Sequence, residues 1–134
     1  MAQDAMIRVI LFGLILATPV TAQSPMTAEE FDAYATGRIM SFGSVGDPTY
    51  GVEQYLPGRR VIWSTGNGDC TNGVWYESKG DICFRYDGDP EPKCWAIYRE
   101  GDGIRAVFTN RPNTTVIFEV EDYTVPLICG DLNS

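Results

Sequence analysis

The sequence contains no histidine. This absence excludes Ser-His-Asp and Cys-His catalytic sites, because both need an imidazole to take the proton of the nucleophile. The four cysteines do not form a zinc motif either: 12, 10 and 34 residues separate them in order, and zinc sites need closely spaced ligands such as Cys-x-x-Cys. We therefore predict no catalytic residue, no metal site and no cofactor, and we expect a protein that is not an enzyme.

Basic residues are also few. Ten Lys and Arg stand against 18 Asp and Glu, which gives a net charge of −8 at pH 7. Such an acidic chain repels phosphate backbones and anionic lipid, so nucleic acid and membrane surfaces are predicted to be poor partners. The charge would attract basic proteins or cations. The simpler interpretation is that it keeps an exported protein soluble.

No apolar run approaches the roughly 20 residues needed to span a bilayer. The longest, Val9–Val20, has about twelve residues, and small residues ending at Ala22 follow it, which is the order of a secretory signal. We predict a signal peptide over residues 1–22 and a single domain over residues 23–134. The mature chain is expected in the bacterial periplasm or secreted, without stable membrane insertion after cleavage.

Four cysteines in an exported chain of this size favour structural disulfides over free thiols. They allow three pairings. Cys83 and Cys94 lie on what are predicted to be adjacent strands of one hairpin, so we pair them with each other. Cys70 is then left to pair with Cys129, which would tie the C-terminal tail to the middle of the barrel.

Helical patterning is limited to one segment near the start of the mature chain. Ser24–Ala35 contains Thr27 as a helix cap and Glu30 three residues later as its capping-box partner. Beyond it, short runs rich in β-branched and aromatic residues alternate with Gly, Asp, Asn and Pro. The predicted strands are Arg38–Phe42, Gly51–Tyr55, Arg60–Ser64, Gly73–Glu77, Asp81–Tyr86, Lys93–Arg99, Ile104–Thr109 and Thr114–Glu121. Seven or eight strands without crossover helices predict a single antiparallel β-meander or barrel.

Several of these strands carry bulky apolar residues on both faces. In Lys93–Arg99, for example, Ala96 and Tyr98 alternate with Trp95 and Ile97. The surplus must be covered by the N-terminal helix and the tail, or be exposed at a binding face.

An ordered set of aromatic residues and cysteines lies at the centre of the chain. It comprises Gly73-Val74-Trp75, then Gly80-Asp81-Ile82-Cys83-Phe84-Arg85-Tyr86, then Cys94-Trp95-Ala96-Ile97-Tyr98. This set resembles the Gly-x-Trp, Cys-Phe-x-Tyr and Cys-Trp pattern of an uncharacterised family of small exported proteobacterial proteins. The resemblance extends from about Thr27 to Phe108 and implies a lipocalin-like strand pattern. It implies no activity, and it says nothing about Cys70 and Cys129.

Acidic residues cluster at Asp87, Asp89 and Glu91. Clustered carboxylates can begin a calcium loop, but this segment lacks the length and the distal glutamate of an EF-hand, and Pro90 and Pro92 stiffen it. An ordinary acidic hairpin turn is the favoured interpretation.

The most distinctive polar pair is Arg59 and Arg60, which follow a Pro-Gly turn at the start of a strand. Neighbouring residues of a strand point to opposite faces, so one of the two arginines could enter the barrel mouth and bind a carboxylate. Trp63, on the same face as Arg59, is the aromatic residue expected beside such a site. A surface ion pair is the alternative role for these arginines.

Two functions from different classes fit these features. The first is a non-enzymatic binding protein that holds a small amphipathic molecule in an apolar barrel mouth. The second is an acidic inhibitor of a basic hydrolase, for example lysozyme, which would use its net charge for steering. An enzyme that uses carboxylates alone ranks third.

Overall fold

The chain forms a closed antiparallel barrel in a computed structural model that describes residues 13–111, 115–120, 127 and 129–130. One helix, α1 (Ala28–Ala35), precedes the strands β1 (Ile39–Ser44), β2 (Asp47–Leu56), β3 (Arg60–Ser64), β4 (Cys70–Ser78), β5 (Asp81–Tyr86), β6 (Lys93–Glu100), β7 (Gly103–Phe108) and β8 (Val116–Glu119). Each strand pairs with the next one in sequence, and β8 pairs with β1 to close the barrel. The predicted fold class is confirmed.

Some predicted segments fall wholly or partly outside the described residues. They include residues 1–12 of the signal peptide, both ends of the last predicted strand (Thr114 and Glu121) and the chain beyond Gly130. Residues 13–22 are described and belong to no helix or strand. The described part of the chain contains no helix with the length and apolar character needed to cross a membrane.

Helix α1 begins four residues later than its predicted start at Ser24. The capping box is present: the Glu30 backbone N–H donates to the Thr27 hydroxyl at 3.2 Å, and the Thr27 N–H donates to the Glu30 carboxylate at 3.1 Å. Upstream of the cap, the Met26 backbone N–H donates to the Ile97 carbonyl at 2.6 Å. The segment before Thr27 is therefore bonded to the barrel, and the helix begins only where the capping box satisfies its first N–H groups.

Helix α1 covers one end of the barrel and supplies its central core residue. Phe31 is fully buried, and its ring makes edge contacts with Tyr55, Trp75 and Phe84 at centroid distances of 5.6, 5.1 and 6.3 Å. Edge-to-face packing suits the quadrupoles of the rings and adds to the free energy of burial. Part of the apolar surplus predicted from the sequence is thus covered by the helix.

A second contact holds α1 against the barrel. The Tyr34 hydroxyl donates to the Glu119 carboxylate at 2.5 Å, while the guanidinium groups of Arg38 and Arg99 lie 4.4 and 4.5 Å from the centre of its ring. Burial, followed by the bond to Glu119, raises the pKa of Tyr34 to about 12. The phenol therefore stays protonated throughout the neutral pH range.

Both predicted disulfides are present. Cys83 of β5 lies directly opposite Cys94 of β6, with 4.0 Å between their Cα atoms. Cys70, at the start of β4, is bonded to Cys129 with a Cα separation of 5.4 Å. Beside this second bridge, the Gly130 N–H donates to the Gly68 carbonyl at 2.9 Å. Residues 129–130 are therefore fixed to the β3–β4 connection.

The two ends of the barrel differ because alternate connections lie at opposite ends of an up-and-down meander. The β2–β3, β4–β5 and β6–β7 turns lie at the end covered by α1, where the Tyr34 hydroxyl oxygen lies 3.3 Å from the Asp102 carbonyl oxygen. The β1–β2, β3–β4, β5–β6 and β7–β8 connections lie at the other end, which we call the distal end.

Candidate functional site

A cavity of about 530 Å³ lies inside the distal half of the barrel. Its floor is made of buried side chains, which are Phe42, Glu53, Tyr55, Phe84, Ile97, Ile104, Ala106 and Ile117. Its wall is made of half-buried side chains, which are Tyr50, Trp63, Thr71, Tyr86, Trp95, Phe108 and Thr115. Its rim is made of Asp87, Gly88, Asp89 and Lys93. The lining therefore changes from an apolar floor with one carboxyl group to an aromatic wall and a charged rim.

Glu53 is the exception in this floor, since it is an acidic residue only 4% exposed. It lies on the inner face of β2, opposite Trp63 of β3. The Tyr86 hydroxyl donates to its carboxylate at 2.8 Å, and the Tyr55 hydroxyl also bonds to it. Among the described residues, no Lys or Arg forms an ion pair with this carboxyl group.

Burial raises the pKa of Glu53 from 4.5 to about 8, and the two phenol hydrogen bonds oppose that shift only in part. Taking a carboxylate out of bulk water costs more solvation energy than two neutral hydrogen-bond donors return. The pKa values of Tyr55 and Tyr86 are raised well above 10 by burial and by the nearby Glu53 charge. Near neutral pH, both phenols are therefore donors and Glu53 holds its proton most of the time.

Two glycines allow aromatic rings of the wall to lie directly on the backbone. A Cβ atom on Gly51 would come within 2.2 Å of the Trp63 ring, and a Cβ atom on Gly73 would come within 2.8 Å of the Tyr86 ring. Trp63 also contacts Tyr50, with a centroid distance of 5.8 Å. The small residues of β2 and β4 thus determine where these two aromatic side chains lie.

The acidic segment at the rim forms a hairpin turn between β5 and β6. The Glu91 N–H donates to Asp89 at 3.0 Å, and the Lys93 ammonium group lies 3.0 Å from the same carboxylate. These contacts, with the Glu91 N–H first, lower the pKa of Asp89. Within the described residues, no three His, Cys, Asp or Glu side chains are placed to hold a metal ion. The segment has the geometry of the ordinary turn favoured from the sequence.

The residues predicted to form the site are not brought together. Trp63 lines the cavity, but Arg59 and Arg60 do not. Arg59 lies in the turn at the α1 end with a φ of 59°, and its guanidinium group stacks over Trp75 at 4.5 Å. Arg60 is exposed, and its Nε donates to the Pro57 carbonyl at 3.1 Å. The prediction of an arginine in the barrel mouth is not met, because β3 begins at the covered end and Arg60 lies on the opposite face of this strand from Trp63.

Four residues with hydroxyl or carboxyl groups in the cavity lining lie outside the predicted site: Glu53, Tyr55, Tyr86 and Tyr50. A charged residue in a strand indicates a site inside the barrel when it is known to lie on the inward-facing side of that strand. In β2, however, Gly51, Glu53 and Tyr55 alternate with Val52, Gln54 and Leu56, so both faces mix apolar and polar residues. Pairing with the neighbouring strands was needed to show which face is buried.

The cysteine and aromatic pattern identified in the sequence maps to β4, β5 and β6. Trp75 and Phe84 pack on Phe31, while Tyr86 and Trp95 line the cavity wall. The pattern thus builds both the covered end and the cavity, and Phe84 belongs to both because it also forms part of the cavity floor. Comparison with protein-family models, with curated proteins and with solved structures gave no match.

Proposed function

We propose that this chain is an exported, non-enzymatic binding protein that holds a small amphipathic molecule inside its barrel. The observation that carries the proposal is the cavity of about 530 Å³, with its largely apolar floor, its aromatic wall and a few converging polar groups. Small-molecule sites have this size and composition, since apolar contacts provide affinity and a few polar groups fix orientation.

The architecture supports the same role. Eight-stranded up-and-down barrels have an interior just wide enough to be filled by side chains or to hold one small ligand, as in lipocalins. Here α1 and Phe31 fill the covered end, and the half-buried aromatic residues lie at the distal end.

Export is supported by the N-terminal segment. Leu14, Ile15 and Leu16 are more than 80% exposed, which is costly for an apolar segment that stays on a folded domain and expected for one that is removed. Gln23, directly after the proposed cleavage site, donates to the Arg99 carbonyl at 2.6 Å. Two disulfides suit an oxidising compartment. We place the mature chain in the bacterial periplasm or outside the cell.

A non-enzymatic role is favoured by the arrangement of the carboxyl groups. Glu53 is held by phenol hydroxyls in the floor, whereas Asp87 and Asp89 lie at the rim. Catalysis by paired carboxylates needs both groups at the same reacting bond. The polar groups of the cavity are therefore better suited to orienting a ligand than to acting on it.

Titration of residues 23–134 with a neutral hydrophobic dye tests the proposal, with quenching of tryptophan fluorescence as the readout. We expect saturable quenching because Trp63 and Trp95 line the cavity. Ala106→Phe, which fills the floor, should weaken dye binding at least tenfold. Ala33→Phe, the same change at an exposed position of α1, should not. Equal binding to both variants would place the dye elsewhere and contradict the proposal.

The acidic inhibitor of a basic hydrolase stays the second candidate, and the net charge of −8 is the observation that favours it. Electrostatic steering makes association fast at low ionic strength and slows it as salt is added. Inhibition of lysozyme that weakens steeply with salt, together with no dye binding, would favour this candidate over a small-molecule carrier.

A further inference from the structure

We propose that the cavity selects organic cations, namely ammonium compounds with an apolar body, and that Glu53 is the group that recognises the ammonium. This inference rests on the proposed function and names the class of ligand. It is based on the charges that face the cavity, on the position of Glu53 and on the aromatic wall around it.

The charged groups of the lining favour a cation. They are three carboxyl groups (Glu53, Asp87 and Asp89) and one ammonium group, that of Lys93. Lys93 is paired with Asp89 at 3.0 Å, so its charge is already balanced within the rim. Asp87 and, once it has released its proton, Glu53 remain, and a positively charged ligand complements them. The acidic amphipath expected from Arg59 and Arg60 would meet the opposite charge.

The position of Glu53 supports recognition through its carboxyl group. Tyr86 and Tyr55 donate to it and hold it in the cavity floor without neutralising it. A buried carboxylate gains most from a partner that brings a full positive charge, because neutral donors compensate its desolvation only in part. An ammonium group provides that charge and up to three N–H donors.

The wall is suited to the rest of such a ligand. Trp63, Tyr50, Tyr86 and Trp95 present ring faces or edges around the space above the floor. Aromatic faces attract cations by their quadrupole and also pack against apolar groups. A ligand with an ammonium at one end and an aryl or alkyl body would therefore be contacted favourably along its length.

Binding should be coupled to the proton on Glu53. Tyr55 of β2 and Tyr86 of β5 bond to this carboxyl group. Tyr34 of α1 lies near Tyr55, and Tyr50 of β2 lies near Tyr86. All four phenols have raised pKa values and stay protonated in the neutral range. The other charged groups on neighbouring elements are Glu119, which accepts the Tyr34 hydroxyl, and Asp87, Asp89 and Lys93 at the rim. Below about pH 8, Glu53 must release its proton to the buffer when an ammonium binds.

Three probes that share one body test the inference by isothermal titration calorimetry: 4-phenylbutylamine, 4-phenylbutanol and 4-phenylbutyrate. At pH 8 we expect the amine to bind at least about tenfold more tightly than the alcohol, and the carboxylate more weakly than both. Glu53→Gln keeps the shape but not the charge, and should reduce the ratio of amine to alcohol affinity to near one. Glu29→Gln, an exposed acid on α1, should preserve the ratio.

The number of protons released on binding can be measured with the wild-type protein. This measurement tests the role of Glu53 even if Glu53→Gln does not fold. The amine's affinity should rise about tenfold per pH unit between pH 6 and 7, with nearly one proton released in paired buffers of different ionisation enthalpy. The alcohol should release none. Equal affinity of amine and alcohol, or tightest binding of the carboxylate, would overturn the cation inference and leave the binding function standing. Binding of none of the three would overturn both.

Discussion

The pH dependence of stability should identify Glu53 as a buried carboxyl group without a cationic partner. Between pH 4.5 and 8, the native state keeps a proton on Glu53 that the unfolded chain has released. The native state then binds more protons than the unfolded state, so the free energy of unfolding falls as pH rises. Below pH 4.5 both states hold the proton, and above pH 8 neither does, so the loss is confined to this interval.

The size of this loss of stability follows from the shift in the pKa of Glu53. A pKa of about 8 against an ordinary value of 4.5 corresponds to a loss of about 5 kcal/mol of stability across the interval, or a tenfold change in the folding equilibrium per pH unit. Glu53→Gln removes this dependence, because the amide is neutral at every pH. Relative to the wild-type chain, the variant should therefore gain stability steadily from pH 5 to pH 8.

Urea unfolding of residues 23–134 at pH 5, 6, 7, 8 and 9, followed by circular dichroism, measures this difference. At each pH, the free energy of unfolding of the variant is subtracted from that of the wild-type chain, which cancels the contributions of the other acidic residues. Glu29→Gln is the control for the loss of an exposed carboxylate. A difference between wild type and Glu53→Gln that stays constant from pH 5 to 9 would refute the reasoning. It would mean that Glu53 is solvated or paired with a cation.

Three further changes probe the fold and the wall of the cavity. Thr27→Ala removes one side of the capping box and should lower the free energy of unfolding by about 1 kcal/mol in thermal melts; an unchanged melting temperature would contradict the role of the cap. Phe31→Ala should cost about 3–5 kcal/mol in urea unfolding, and a loss below 1 kcal/mol would show that α1 is not part of the core. Gly51→Ala should displace Trp63, alter the near-ultraviolet circular dichroism and weaken dye binding, whereas an unchanged spectrum would contradict the close approach.

Most of the fold could be predicted from the sequence, because a meander depends on local signals. Alternating apolar residues and turn residues gave β3 (Arg60–Ser64) and β5 (Asp81–Tyr86) at their observed bounds. The predicted strand Gly51–Tyr55 is shorter than the observed β2, which begins at Asp47. The added segment includes Asp47 and Pro48, and Asp and Pro are poor strand formers. Pairing with β1 overrides that preference, and pairing is a long-range property.

The candidate site was harder to predict, because it depends on which face of each strand is turned inward. Trp63 was selected, and it does line the cavity. Arg59 and Arg60 stand out in the sequence because basic residues are few. Their position at the start of β3 nevertheless places them at the covered end of the barrel, outside the cavity lining. Glu53 was overlooked because an acidic residue in an acidic chain does not stand out until its burial is known.

The indole N–H signals of the three tryptophans provide the most direct test of a ligand in the distal half of the barrel. They can be followed in a ¹H–¹⁵N correlation spectrum and assigned by single Trp→Phe variants. Trp63 and Trp95 line the cavity, whereas Trp75 is buried beside Phe31 at the covered end. On titration with 4-phenylbutylamine, we expect the Trp63 and Trp95 signals to shift together and saturate while the Trp75 signal stays in place. Three unmoved signals, or a shift confined to Trp75, would contradict it.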